Sequence, residues 1–263
     1  MMDAPQRLMA ERGRDVHGII FIRMRQNEIG ETGALRLRRV VEPRMTSCDG
    51  LQAHCTRCLN TQRWGGSVTL MVVDAAFMSI GLNYFTAVVP AVAEYEQWMR
   101  EGQAPATLKQ LAELSYDALA PLWKNRRSWH LAREVAACLV RYDANDTDAL
   151  RSWASTAPLE TWKQDPVGAV NGVGINTYQY LRMMGGVDTS MPDKIVRRVI
   201  ASLVSEAGVV LPTDDDLALI QTIESIGRIT GYRPIELCWM TWMIQSEGKT
   251  MRMEKYRDLL QRI

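Results

Sequence analysis

Two short stretches of the 263-residue chain combine residue types that do chemistry at a usable spacing. The first is Pro166-Val167-Gly168-Ala169-Val170-Asn171-Gly172-Val173-Gly174-Ile175-Asn176-Thr177-Tyr178, where a Gly-Val-Gly turn precedes an apolar run ending at Met184. Two glycines permit positive φ and let another backbone approach closely. Amides facing outward at the start of the next helix then suit a phosphate oxygen. A plain helix–helix connection fits the same turn. The second stretch is Met191-Pro192-Asp193-Lys194-Ile195-Val196-Arg197-Arg198-Val199, with Asp193 placed 19 residues after Gly174. A carboxylate here can stabilise positive charge and orient or deprotonate a water. It also fits the N-cap of the apolar helix behind it.

Taken together, the turn and the aspartate resemble the helix-hairpin-helix DNA glycosylase superfamily. Its hairpin commonly reads Leu-Pro-Gly-Val-Gly, followed by an apolar helix and a catalytic aspartate about twenty residues on. An apolar residue, Arg and Val commonly follow that aspartate at +3, +5 and +6; Val196 holds +3, Arg198 holds +5 and Val199 holds +6. The likeness is strongest over residues 166–199, extends loosely over about 70–250, and does not reach residues 1–66. Val170-Asn171-Gly172 stands where the family reads Leu-Pro-Gly. Asp188, in Val187-Asp188-Thr189, is a rival aspartate, but it lies 14 residues from Gly174 and lacks the following Arg-Val.

The resemblance implies a fold, a reaction and a set of residues. The fold is all-α, a two-lobed helical glycosylase-like arrangement. Gly172, Val173, Gly174 and Asn176, with Lys194 and Arg198, would hold the backbone of double-stranded DNA while the target nucleotide is flipped into a pocket. Asp193 would stabilise the oxocarbenium-like transition state of N-glycosidic cleavage and activate water. Some members carry a lysine two residues after the second hairpin glycine that forms a Schiff base and cleaves the strand. Asn176 occupies that position, so the implied enzyme is a monofunctional glycosylase that leaves an abasic site, with no lyase step. A glycosylase aimed at hypermodified bases of phage DNA, and a non-catalytic helix-hairpin-helix DNA-binding protein, are the alternative readings. An α-helical interaction protein, in which the hairpin is only a turn, is the third.

A flipped base needs aromatic faces and a few polar groups. Asn83 with Tyr84 and Phe85, Trp129 with His130, and Tyr178 are the candidates for pocket or wedge, against ordinary core packing for each aromatic. Asn83 is the nearest equivalent of the family residue that fills the gap left by the flipped base. Trp239 and Trp242 read as one packed helix face. Lys124, Arg126 and Arg127 form one basic cluster; Arg182, Lys194, Arg197 and Arg198 form another around the hairpin and Asp193.

The cysteines suggest a metal only weakly. Cys48, Cys55 and Cys58 follow two of the spacings of a family iron–sulfur site, but Trp64 stands at the fourth position and cluster binding takes four thiolates. His54 beside Cys55 makes an awkward zinc pair. Cys138 and Cys238 read as core thiols. The expectation is no metal and no cofactor.

The elements that must position these residues follow from punctuation and period. Apolar residues make up 47% and charged residues 23% of the chain, and this ordinary globular composition excludes a disordered or collagenous chain. Residues 1–66 hold eleven Arg, no Lys and seven acids, a net of +4, whereas the rest holds 20 basic and 23 acidic residues, a net of −3. A boundary after residue 66 follows, with an N-terminal extension ahead of a helical domain over 67–263. Strand-like patterns over 17–22 and 34–41, with Gly30 and Gly33 between, predict a small β-hairpin or a disordered appendage. Helices are expected at about 69–99, 107–120, 127–142, 146–155, 174–184, 193–205, 214–230 and 233–246. The apolar run Val68–Ala93 is long enough to span a bilayer. Asp74, Pro90 and the lack of basic flanks favour a buried core helix instead. With Met1–Arg14 too charged for a secretory signal core, the expected protein is a cytoplasmic monomer whose partner is DNA, not a membrane.

Overall fold

The computed structural model describes residues 29–263, which are mostly helical. In chain order they form α1 (Glu31–Thr46), α2 (Leu51–Leu59), α3 (Val68–Met78), α4 (Val89–Arg100), α5 (Leu108–Glu113), α6 (Tyr116–Leu119) and α7 (Arg126–Leu139). There follow α8 (Asp146–Thr156), α9 (Ile175–Met184), α10 (Lys194–Glu206), α11 (Asp216–Thr230) and α12 (Pro234–Met243). A hairpin of β1 (Ser246–Glu247) and β2 (Thr250–Met251) leads to α13 (Arg252–Lys255) and α14 (Arg257–Arg262).

Side chains that accept amide protons fix where helices begin. Asn125 takes the amide of Ser128 at 3.2 Å to start α7, and Asn145 takes those of Thr147 and Asp148 to start α8. Asp215 accepts from Leu217 and Ala218 to start α11. Each such cap is worth about 1 kcal/mol.

The apolar run from Val68 is a core helix. Residues 68–77 of α3 are all buried, and α3 packs against α4, α5, α7, α8 and α9. Burying each of its large apolar side chains contributes roughly 1.5–3 kcal/mol. The expected helix over 69–99 is in fact broken: Gly81 takes φ +76°, and Asn83 caps a π-helical turn over Tyr84–Val88 before Pro90 opens α4. Likewise, 107–120 is interrupted between α5 and α6. No helix among the described residues is long and apolar enough to cross a membrane.

Residues 34–41 are helical, not a strand. Gly33, Leu37, Val41 and Met45 are the buried residues of α1, and their spacing of four is a helical period that the Leu-Arg-Leu-Arg alternation obscures. Arg36 Nε donates to Ala207 O at 2.7 Å, and Arg38 Nε donates to Ile229 O at 2.8 Å, tying α1 to the ends of α10 and α11. Helix α2 packs against α12 and α9. Leu37, Val41, Cys55, Cys58 and Trp64 belong to the same core as α3 and α9. The change of charge after residue 66 therefore marks no break in packing. The strand-like pattern over 17–22 lies outside the described residues.

Candidate active site

The hairpin is built from the aspartate ahead of it. Asp165, nearly buried, accepts from the amides of Val167 and Gly168 and from Trp153 Nε1 at 3.0 Å, which folds the chain into a tight turn. Only glycine fits at 168, because a Cβ there would lie 1.8 Å from Trp162 O. Gly172 takes φ +96° and seats the turn on α7, where a Cβ would meet Leu131 at 3.5 Å. Val173 is buried, whereas Asn171, Gly172 and Gly174 are exposed. Gly174 starts α9 with no side chain capping it and nothing in front of its Cα. In place of the expected helix before the hairpin there is a single 3-10 turn, Trp162–Gln164, followed by the Asp165 turn. Asn176 lies in the first turn of α9, with its Oδ1 buried and unpartnered.

Asp193 is the N-cap of α10. Its Oδ1 accepts from the amides of Ile195 at 2.7 Å and Val196 at 2.9 Å. Its Oδ2 accepts from Trp242 Nε1 at 2.6 Å. The carboxylate plane is thus held from both sides, and the residue remains half-buried. Burial pushes the Asp193 carboxyl above its ordinary range, opposed by the Val196 amide, the Trp242 indole, the Ile195 amide and the Arg252 cation. Gln179 of α9 secures the approach: its Nε2 donates to Thr189 Oγ1 at 2.6 Å and to Ser190 O at 3.0 Å, pinning the loop that carries Asp193 to the hairpin helix. The rival Asp188 is exposed and accepts from the Ile235 amide at 3.0 Å, where it serves the start of α12.

Behind Trp242 stands a C-terminal assembly. Arg252 lies with its guanidinium carbon 5.3 Å from the Trp242 ring centroid and donates through Nε to Glu247 at 2.8 Å. Glu247 also accepts from Lys255 at 2.8 Å and from Tyr256 at 2.6 Å. Those hydrogen bonds hold its carboxyl down at about 2, first through Lys255 and then Tyr256. Tyr256 stacks on Phe85 with centroids 4.1 Å apart. This chain of contacts connects the 79–85 loop to the face of Asp193. Trp242, Glu247, Arg252 and Tyr256 escape a reading from sequence because the helical period treats Trp242 as core. The signals present were an indole near the end of the last long helix and the Gly248 turn after it.

The candidate pocket residues separate into three places. Trp129 and Tyr178 are fully buried core: Trp129 Nε1 donates to Trp123 O at 2.7 Å, and the Tyr178 hydroxyl donates to Pro158 O at 2.9 Å. Trp129 nonetheless contributes to the wall of a cleft that it shares with Arg126 and His130. Tyr84 is also buried, in a polar cluster described next. Asn83 is exposed on the loop before the π-turn, beside Leu82, an apolar side chain left 45% exposed. His130 lies at the surface, where it shares a cleft of about 210 Å³ with Arg126, Arg127 and Asn171 of the hairpin. Lys194 is exposed at the start of α10, and Arg198 donates to Gln245 Oε1 at 2.6 Å. Arg197 is taken up internally by Thr213 O and the Asp216 carboxylate.

A second carboxylate is wholly enclosed. Asp74 Oδ2 accepts from Trp64 Nε1 at 2.8 Å, Tyr180 Oη at 2.9 Å, Tyr84 Oη at 3.1 Å and Arg63 Nη2 at 3.3 Å. Arg63 Nη1 points at His54 Nε2, 3.4 Å away, and its guanidinium lies over the Trp239 ring. Burial pushes Asp74 up, with Arg63 opposing it, and burial pushes His54 well below its ordinary value. The loop that brings Arg63 and Trp64 inward is strained. Thr61 and Trp64 both take positive φ, at about 1–3 kcal/mol each.

The cysteine triplet is also interior. Cys48, Cys55 and Cys58 are free thiols, and burial pushes Cys58 up to about 12 and Cys55 well above its ordinary value. No group of three or more His, Cys, Asp or Glu among the described residues is placed to hold a metal ion. Comparison with protein families, with curated proteins and with solved structures finds no match to this chain.

Proposed function

We propose that the protein is a monofunctional DNA glycosylase that hydrolyses the N-glycosidic bond of a damaged or modified base and leaves an abasic site. The observation that carries this reading is the placement of Asp193. Both of its oxygens are oriented by three N–H donors, on a loop that Gln179 fastens to the helix opening with Gly172-Val173-Gly174. In the reading, the two-lobed helical body clasps duplex DNA, and the sugar of the flipped nucleotide comes against Asp193.

The chemistry follows from the donor set. Oδ1 already accepts two amide protons, so the remaining capacity lies on Oδ2 beside the indole. As the base departs, positive charge builds at the sugar, and a fixed carboxylate stabilises it without reorganising. The same oxygen takes a proton from the attacking water. The Val196 amide, the Trp242 indole, the Ile195 amide and Arg252 all favour the charged form and oppose the upward push of burial. Asn176, an amide, supplies no amine for a Schiff base.

The test is an abasic-site assay on duplexes carrying damaged, mismatched and enzymatically modified bases, with and without alkali. Strand breaks that need alkali, and that vanish in Asp193→Asn, are the expected result. Breaks without alkali would overturn the monofunctional assignment. Duplex binding without abasic sites on any substrate, unchanged by Asp193→Asn, would instead mark a binding protein in which Asp193 is only a cap.

A further inference from the structure

Helix α7 begins with a feature that its own fold does not explain. Arg126 and Arg127 occupy its first two positions, and no acidic residue stands in that turn. The positive end of a helix dipole disfavours cations there. Both are exposed, and neither forms an ion pair among the described residues. Arg126 rests its guanidinium 4.4 Å from the Tyr116 ring centroid, which fixes its direction without neutralising it. His130 follows one turn on, at the surface.

The hairpin sits against this end of the helix. Gly172 packs over Leu131, and Asn171 closes the cleft formed by Arg126, Arg127 and His130. A second cleft of about 380 Å³ shares Arg126 and His130 and runs on to Tyr116, Asp117 and Arg133. The two clefts form one groove along the outer face of α7, basic along most of its length and starting at the hairpin. Asp117 is its one acid.

We infer that this groove is a phosphate-binding site, in which Arg126, Arg127 and His130 hold the backbone of the DNA strand as it leaves the hairpin. The inference rests on the glycosylase reading for the identity of the polyanion. It concerns residues that play no part in the chemistry at Asp193. Guanidinium groups without an ion pair among the described residues suit phosphodiester oxygens, and they explain cations kept where the helix dipole opposes them. The chain beyond residue 66 is acidic overall, so such a site concentrates positive charge where a duplex needs it.

The test uses the full chain and an undamaged fluorescent duplex, so that binding is read without turnover. Affinity is titrated against KCl for the wild type, for the Arg126→Ala/Arg127→Ala double variant, and for an Arg39→Ala/Arg228→Ala control. The control removes the same charge from exposed positions on α1 and α11. Each lost phosphate contact lowers the slope of log affinity against log salt by about 0.9, so the double variant is expected to lose about 1.8 from the slope. Its affinity at low salt should fall on the order of tenfold, with the control unchanged. An unchanged slope in the double variant, an equal loss in the control, or no duplex binding by the wild type overturns the inference. Failure of the glycosylase reading shows elsewhere, as absent abasic sites in a protein that still binds.

Discussion

Asp74 and Asp193 each accept a hydrogen bond from an indole N–H, as Asp165 of the hairpin also does, and the first two serve opposite ends. Asp74 takes Trp64 at 2.8 Å, and Asp193 takes Trp242 at 2.6 Å. Asp74 is enclosed completely, with Arg63, Tyr84 and Tyr180 converging on one oxygen. Asp193 is half-buried, with two amides on one oxygen and the indole on the other. Burial raises both carboxyls. The Asp74 cluster joins α3, α9 and α12, through Asp74, Tyr180 and Trp239 respectively, to the strained loop before α3. It is therefore a device for holding helices in register. Asp193 is only half-buried, and the proposed reaction requires that access. A perturbed carboxylate is thus not a functional carboxylate until its access is known.

The largest expected effect separates the two by readout. Asp193→Asn keeps an N-cap, because asparagine accepts amide protons as well as aspartate does. Abasic-site formation should fall about 10²–10⁴-fold, while the thermal midpoint stays within the scatter of the wild type. Asp193→Ala should lose the same activity and about 1 kcal/mol of stability besides. A midpoint that collapses in Asp193→Asn would make the residue structural, like Asp74.

Arg63→Met tests the other member. Removing one partner of a buried ion pair leaves an uncompensated charge, at about 3–5 kcal/mol. Chemical denaturation should show that loss, with activity falling only as the folded fraction falls. The sign with pH is fixed by the direction of the shift. An Asp74 carboxyl raised above its unfolded value makes the charged form the less favourable one in the fold. Without Arg63 to oppose burial, the variant should therefore lose stability as pH rises from acid toward neutral, more steeply than the wild type.

What was legible in the sequence follows the same division between local and distant causes. The hairpin and Asp193 were visible because their residues lie within 28 positions and each is shaped by its neighbours, Gly172 by its φ and Asp193 by the amides two and three residues on. The helical character of the chain was visible for a similar reason, since caps such as Asn125 and Asn145 act on amides close by. The period of α1 was misread because four residues of alternation mimic a strand, while the spacing of Gly33, Leu37, Val41 and Met45 needs a longer window. Asp74 announced itself as a charge in an apolar run, but its partners Arg63, Tyr84 and Tyr180 come from three segments that only the fold brings together. Trp242 was hidden for the converse reason. Its half-buried indole looks like core by period, and its partner lies 49 residues away. Trp129 and Tyr178 were candidates by aromatic character alone, and packing consumed them.

Trp242 offers the sharpest comparison between the two carboxylates. Trp242→Phe keeps most of the ring and removes only the N–H. That hydrogen bond favours the charged carboxylate and opposes burial, so its loss must move the Asp193 carboxyl further up. The ionised form is the active one in the proposed reaction. The acid limb of the rate against pH should therefore shift to higher pH by about one unit, taking a hydrogen bond to a charged group as worth about 1.5 kcal/mol or more. At alkaline pH most of the activity should return. A loss equal at every pH would mean that Trp242 holds geometry alone.

Glu247 gives the smallest effect and tests whether the C-terminal assembly acts through Trp242. Its carboxyl is held at about 2 by Lys255 and Tyr256, so the stability it contributes is present above the ordinary glutamate range and disappears as pH falls toward 2. Glu247→Gln should lower the thermal midpoint by about 2 °C or less at neutral pH, because ion pairs near the surface contribute little. The informative readout is the acid limb again. Arg252 lies over the Trp242 ring with its Nε donated to Glu247, and its charge acts on Asp193 from there. A guanidinium released into solvent opposes burial of the Asp193 charge less well, and the limb should move upward by less than in Trp242→Phe. If the limb moves in Trp242→Phe and stays fixed in Glu247→Gln, the indole alone tunes Asp193 and the residues behind it only close the fold.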